Sequence, residues 1–181
     1  MARSGITPNA LSWTGFGLTL VAAALAGVGY LPAAGVALLA AGYFDILDGA
    51  LARYTNKVTA FGGILDSTLD RFSESAVMLG IIVYYLIFTT EFQQPGILLA
   101  GLALVGSLLV SYIRARAEAQ DIECKVGLFT RPERVITLVL AFMFMALSQW
   151  SLLVALGIIV IFSFITVWQR VHRVWSQTKH K

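Results

Sequence analysis

Apolar residues run through this chain in six long stretches, at about 10–30, 32–54, 60–88, 95–118, 132–149 and 151–175. Each is close to the roughly 20 residues a helix needs to cross a bilayer. The runs are continuous rather than alternating and are rich in Ala, Leu and Gly, which argues against half-buried strands. A helix also satisfies its own backbone in lipid, where a strand cannot. Turn signals separate the runs at Gly29-Tyr30-Leu31-Pro32, from Thr89 to Pro95 and from Ser148 to Ser151. The segment from Asp121 to Pro132 is the only long polar loop. The stretch after Ser148 can also be drawn as one hairpin with the run before it. The pattern predicts an all-α integral membrane protein of six transmembrane helices, with residues 1–181 as a single domain. Residues 1–12 are mixed and polar and do not read as a cleaved leader.

Composition sharpens this reading. The chain is 58% hydrophobic and 13% charged with a mean hydropathy of +0.80, outside the range of soluble globular proteins. A lone cysteine, Cys124, forbids an internal disulfide and reads as a bystander in the polar loop. Charge then orients the bundle. With six spans, all 13 Lys and Arg fall on one side: Arg3; Arg53, Lys57 and Arg71; Arg114, Arg116, Lys125, Arg131 and Arg134; Arg170, Arg173, Lys179 and Lys181. The opposite loops hold only Glu91. The positive-inside rule puts both termini and the second and fourth loops in the cytoplasm, for a multi-pass protein of the cell membrane. Topology accounts for the basic excess, so no nucleic-acid partner is expected. Lys179, His180 and Lys181 read as a solvated tail, and His172 as an interfacial residue.

Against this apolar background four aspartates stand out: Asp45, Asp48, Asp66 and Asp70. An ionised Asp at the centre of a membrane helix costs roughly 2.5–3.5 kcal/mol on insertion scales. The charge asymmetry places all four in the cytoplasmic halves of the second and third spans, where water and a hydrophilic ligand reach them. Asp45 and Asp48 are three apart and Asp66 and Asp70 four apart, so each pair lines one helix face. Two antiparallel helices can aim all four at one volume. Hard oxygen donors without His or Cys suit Mg²⁺ or Mn²⁺, or Ca²⁺, rather than Zn²⁺. Two such ions can clamp a phosphoryl transfer. Gly49 and Ala52 lie on or beside the Asp45–Asp48 face, and Gly62 opens the third span; their small size lets a phosphate approach. Ion pairing with Arg53, Lys57 or Arg71 is an alternative, and so is a cation or proton relay. A relay fits less well, because the outer halves of the spans offer almost no ionisable group to continue a path.

The pattern Asp45-x2-Asp48-Gly49-x2-Ala52-Arg53-x8-Gly62-x3-Asp66-x3-Asp70 resembles, at every fixed position, the signature of the CDP-alcohol phosphatidyltransferase family. Thr7-Pro8-Asn9-Ala10-Leu11 is similar to the short amphipathic segment before that family's first span. The resemblance implies a membrane enzyme that moves a phosphatidyl group from CDP-diacylglycerol to an alcohol and releases CMP. It further implies that Asp45, Asp48, Asp66 and Asp70 hold two divalent ions, with Asp70 also the general base. Asn9, Asp48, Gly49, Ala52, Arg53 and Gly62 are implied on the CDP-lipid. A homodimer is expected on the same ground.

The acceptor must be read from a second cluster, Ser111, Arg114 and Arg116 at the end of the fourth span and Arg131 and Arg134 at the start of the fifth, with Arg170 or Arg173 from the last. Arginines at this density suit a phosphorylated polyol, which they hold bidentately. Cytoplasmic helix ends also collect Arg through topology and anionic lipid. The two stretches resemble the phosphatidylinositol-phosphate synthase branch of the family, implying inositol 1-phosphate as acceptor. Some members of that branch carry Lys at the position of Arg114. Glycerol 3-phosphate, giving phosphatidylglycerophosphate, is the second reading, and a cation-binding transporter is the alternative of another class.

Overall fold

The computed structural model describes residues 8–54 and 59–179, all in helices and their connections. The helices are α1 (Pro8–Gly27), α2 (Leu31–Tyr54), α3 (Ala60–Phe88), α4 (Gln93–Glu118), α5 (Arg131–Phe144) and α6 (Trp150–Thr178). Five of them, all but α5, are long and apolar enough to cross a membrane. The segment expected ahead of the first span enters the description at Pro8 and runs without a break into α1.

Local chemistry fixes the ends. After α1 the chain reverses through Gly29 at φ +90°, with Tyr30 N–H donating to Leu25 O and Gly29 N–H to Ala26 O. This is the Schellman pattern, in which the residue with positive φ is usually Gly. α4 ends the same way without one: Asp121 takes φ 55°, and Ile122 and Asp121 donate to Ala117 O and Glu118 O. Aspartate is among the few residues that enter this region readily. Thr59 caps α3 by accepting from Gly62 N–H at 3.0 Å. Thr130 and Glu133 form a capping box that opens α5, with Pro132 in its first turn.

The fifth span differs from expectation. The apolar run predicts a helix reaching 149, but α5 stops at Phe144. Its 14 residues cover about 21 Å, short of the ~30 Å hydrocarbon core. Leu147 and Ser148 N–H close the turn on Phe144 O, and serines reinforce it: Ser151 Oγ adds a second donor to Ala141 O at 3.1 Å, and Ser148 Oγ accepts from Trp150 N–H at 3.3 Å. Ser148 therefore marks a genuine break between two helices.

Three antiparallel hairpins, α1–α2, α3–α4 and α5–α6, close into a ring through the contacts α2–α5, α6–α4 and α3–α1. The interior is made of small and aliphatic side chains, with Ala22, Ala26, Ala34, Ala100 and Ala103 wholly buried beside Met78, Ile81, Phe142 and Leu156. Alanines at helix contacts let backbones approach closely, the usual means of association in lipid. The closest approach is at Gly80 of α3, where an added Cβ would lie 2.3 Å from Ala23 O of α1. Large apolar side chains such as Leu39, Ile64, Ile136, Leu147 and Trp168 point outward, as expected where the surrounding medium is hydrocarbon.

Candidate active site

The ring joins bring the charged residues to one end of the bundle. From α2 come Asp45 and Asp48, and from the neighbouring turns of α3 come Asp66 and Asp70. Carboxylate oxygens of Asp45, Asp48 and Asp66 all lie within 4.8 Å of one another. Asp48 is buried and accepts from Ser12 Oγ of α1 at 2.6 Å. The cluster contains no His or Cys. An all-carboxylate oxygen set of this kind fits Mg²⁺ or Mn²⁺, which favour hard oxygen ligands.

The sequence predicts four carboxylates around one volume; the structure gathers three and sets the fourth beside them. Arg131, at the start of α5, places Nη1 against Asp45 Oδ2 and 2.8 Å from Asp70 Oδ1. The guanidinium thus stands between Asp70 and the triad. Arg71 is looser, with Nη1 3.9 Å from Asp70 Oδ2.

The other arginines do not converge in the same way. Arg134 is 1% exposed. It is committed to Glu74 of α3 through Nε–Oε1 at 2.5 Å and Nη2–Oε2 at 3.2 Å, while Nη1 reaches Phe129 O at 3.3 Å. That occupies the face expected to hold an acceptor phosphate. Arg114 pairs with Glu118 on the surface of α4 at 2.8 Å, and Arg116 and Arg173 are exposed. Ser111 is half-buried on α4. Of the residues expected on the CDP-lipid, Asn9 and Gly62 meet: a Cβ on Gly62 would lie 3.5 Å from Asn9 Oδ1. Gly49 follows Asp48 in α2, half-buried. The side chains of Ala52 and Arg53 lie outside the described residues.

Two further residues that no motif in the sequence marks, Ser12 and Glu74, join the site, while Arg170, grouped in the sequence with the acceptor arginines, is bonded to backbone instead. Ser12 belongs to a helix without a single charged residue. Glu74 continues the four-residue spacing Asp66, Asp70, Glu74 along one face of α3, and extending that spacing by one turn finds it. Arg170 is 3% exposed and has no carboxylate partner among the described residues. It donates to the carbonyls of Val110, in α4, and of Val126, in the α4–α5 loop. With Thr166, which accepts from Phe129 N–H at 3.1 Å, it ties the loop that leads into Arg131 onto α6.

Below the carboxylates opens a groove of about 960 Å³ between α1, α2, α3 and α5. Asp45, Asp66, Asp70 and Arg131 form its polar end; Val36, Leu39, Val139 and Leu140 line its apolar length. A ligand with a polar head and hydrocarbon tails matches that gradient, and an anionic head fits it once a cation sits on the carboxylates.

Residues 5–169 match the CDP-alcohol phosphatidyltransferase family. The chain belongs to that family. Among its relatives, an archaetidylinositol phosphate synthase of Methanothermobacter thermautotrophicus is 36% identical over 178 residues, 98% of this chain and 87% of the relative. A phosphatidylinositol phosphate synthase of Mycobacteroides abscessus is 35% identical over 178 residues, 96% of this chain and 80% of that one. The crystal structure of the Mycobacterium tuberculosis phosphatidylinositol phosphate synthase with CDP-DAG bound superposes with a TM-score of 0.86 at 32% identity, over 96% of this chain and 88% of that chain. The same synthase in complex with manganese and citrate gives 0.87 at 32% identity, over 96% and 84% of the two chains. This CDP-alcohol phosphatidyltransferase is thus an all-helical membrane transferase of phospholipid synthesis, and its acidic triad suits a divalent metal.

Proposed function

We propose that the protein transfers the lipid phosphate of CDP-diacylglycerol to a hydroxyl of inositol 1-phosphate, giving phosphatidylinositol phosphate and CMP. The observation that carries this reading is the carboxylate triad with Asp70 and Arg131 beside it, at the polar end of an apolar groove. The inositol phosphate synthase relatives support the choice of acceptor.

In this reading Asp45, Asp48 and Asp66 hold divalent metal, with Asp70 completing a site for two ions. Bound there, the metal supplies positive charge to the diphosphate oxygens. The groove takes the hydrocarbon tails and fixes the lipid-bearing phosphorus near Asp70. Asn9, Asp48, Gly49, Ala52, Arg53 and Gly62 take the cytidine end. The acceptor hydroxyl oxygen bonds to that phosphorus, Asp70 takes the hydroxyl proton, and the bond to the oxygen of the cytidine phosphate breaks, so CMP leaves. Arg131 meets the acceptor phosphate, with Ser111, Arg114, Arg116 and Arg173 at the same end of the bundle. The arginine-rich end faces the cytoplasm with both termini, following the positive-inside rule. The six helices act as one domain, and the working form is a homodimer.

The test is CMP release by purified protein from CDP-diacylglycerol with Mn²⁺ or Mg²⁺, with inositol 1-phosphate, glycerol 3-phosphate and free inositol offered separately. Inositol 1-phosphate is expected to be preferred. Preference for either of the others overturns the acceptor, and absence of metal-dependent CMP release with every acceptor overturns the reaction. Names among the relatives divide between archaetidyl and phosphatidyl lipids, so an ether-linked CDP-lipid belongs in the same assay.

A further inference from the structure

Asp45 serves two partners. It belongs to the triad whose oxygens lie within 4.8 Å of one another, and it also accepts from Arg131. Among the described residues, the Arg131 side chain bonds to Asp45 and Asp70 and to no backbone carbonyl. Arg134 and Arg170, in contrast, each donate to at least one carbonyl. The Arg131 side chain is 28% exposed, against 2% for Arg134. The backbone beneath it is fixed by the Thr130–Glu133 capping box and, one turn on, by the Arg134–Glu74 pair. Arg131 is therefore a long, partly exposed cation on a rigid base, holding carboxylates that a metal also needs.

The charge balance sets the two cations in competition. Asp45, Asp48, Asp66 and Asp70 set four negative charges against Arg131 and the looser Arg71, which leaves two uncompensated (four minus two). Without metal, the Arg131 guanidinium is the cation closest to neutralising them. A divalent ion on the triad takes over Asp45 and repels the guanidinium, because like charges within a few ångström in a partly desolvated site are costly.

We propose that Arg131 is the resident counter-ion of the metal site: it holds Asp45 and Asp70 while metal is absent, yields them when a divalent cation binds, and is then free for an acceptor phosphate. This rests on the proposed function for the acceptor, but the exchange with metal stands on the ion pairs alone. Since coupling between two ligands is reciprocal, metal and acceptor phosphate strengthen each other's binding. Arg131 also becomes the group that links the two sites.

Mn²⁺ binding to the purified protein without CDP-lipid, by titration calorimetry or by the electron paramagnetic resonance of free Mn²⁺, tests this without turnover. Arg131→Ala is expected to bind Mn²⁺ about tenfold more tightly than wild type, and Arg131→Lys to stay close to wild type. Inositol 1-phosphate is expected to tighten Mn²⁺ binding to the wild type and to leave Arg131→Ala unchanged. A folded Arg131→Ala that binds Mn²⁺ equally or more weakly overturns the exchange. Should that variant fail to fold, the wild-type measurement decides: Mn²⁺ affinity indifferent to inositol 1-phosphate overturns the coupling. Tighter Mn²⁺ binding by Arg131→Ala together with turnover on a different acceptor would retain the exchange and reject only the acceptor reading.

Discussion

Arg131 and Arg134 lie one turn apart on α5 and face Asp70 and Glu74, one turn apart on α3, yet the two rungs are built differently. Arg134 and Glu74 are 2% and 9% exposed at their side chains and meet with two parallel contacts. Arg131 is part-exposed, is shared between two carboxylates on different helices, and lies at the groove mouth. Burial makes the first rung a lock. A desolvated charge has no other partner to go to, and losing one member leaves the other stranded. Exposure and shared ligands make the second rung exchangeable. The same ion-pair chemistry thus becomes a lock or an exchangeable contact according to its depth and to how many carboxylates share the guanidinium.

The exchangeable rung breaks most sharply at Asp70. Asp70→Asn keeps the shape and removes the proton acceptor, so turnover is expected to fall by about 10²–10⁴-fold, with melting in detergent near that of wild type. Retention of full turnover would remove Asp70 from the chemistry. At the lock, Arg134→Ala is expected to cost about 3–5 kcal/mol by leaving Glu74 buried and unpaired, seen as a large fall in melting temperature. Arg134→Leu combined with Glu74→Leu is expected to recover most of it, and a double variant no better than the single one would show that the pair does more than neutralise itself. Between the rungs stands the cap: Thr130→Ala is expected to cost about 1 kcal/mol, read as a modest drop in melting temperature. The smallest effect on stability is expected for Arg131→Ala with Mn²⁺ present, below about 1 kcal/mol as for exposed pairs. A loss as large as that of Arg134→Ala would erase the distinction between the two rungs.

Most of the architecture is legible in the apolar runs. Five of the six helices match them closely, because a bilayer demands length and the chain has few ways to supply it. Hydropathy alone draws the fifth too long, since Met145, Ala146 and Leu147 are as apolar as the helix they extend. The break there is a turn closed on Phe144 O and reinforced by serine hydroxyls that bond backbone, none of which hydropathy registers. The three-carboxylate cluster is legible because spacing along a helix fixes a shared face. What spacing cannot give is the rotation of one helix against another. That rotation puts Glu74 under Arg134, turns Ser12 onto Asp48, and slides Arg131 between Asp70 and the triad. The arginines that sequence groups as one pocket therefore divide into a buried strut, a guanidinium within the acidic site, and surface cations.

The ring of three hairpins has a consequence for biogenesis. The first two hairpins carry all four aspartates, while Arg131 opens the third. A ribosome delivering the hairpins in order exposes an acidic cluster at the membrane edge before its own guanidinium has been synthesised. Until α5 docks against α2, the first four helices lack the guanidinium that bonds Asp45 and Asp70. The last hairpin to insert thus completes the ring and brings the guanidinium that offsets part of the charge that the first two brought in.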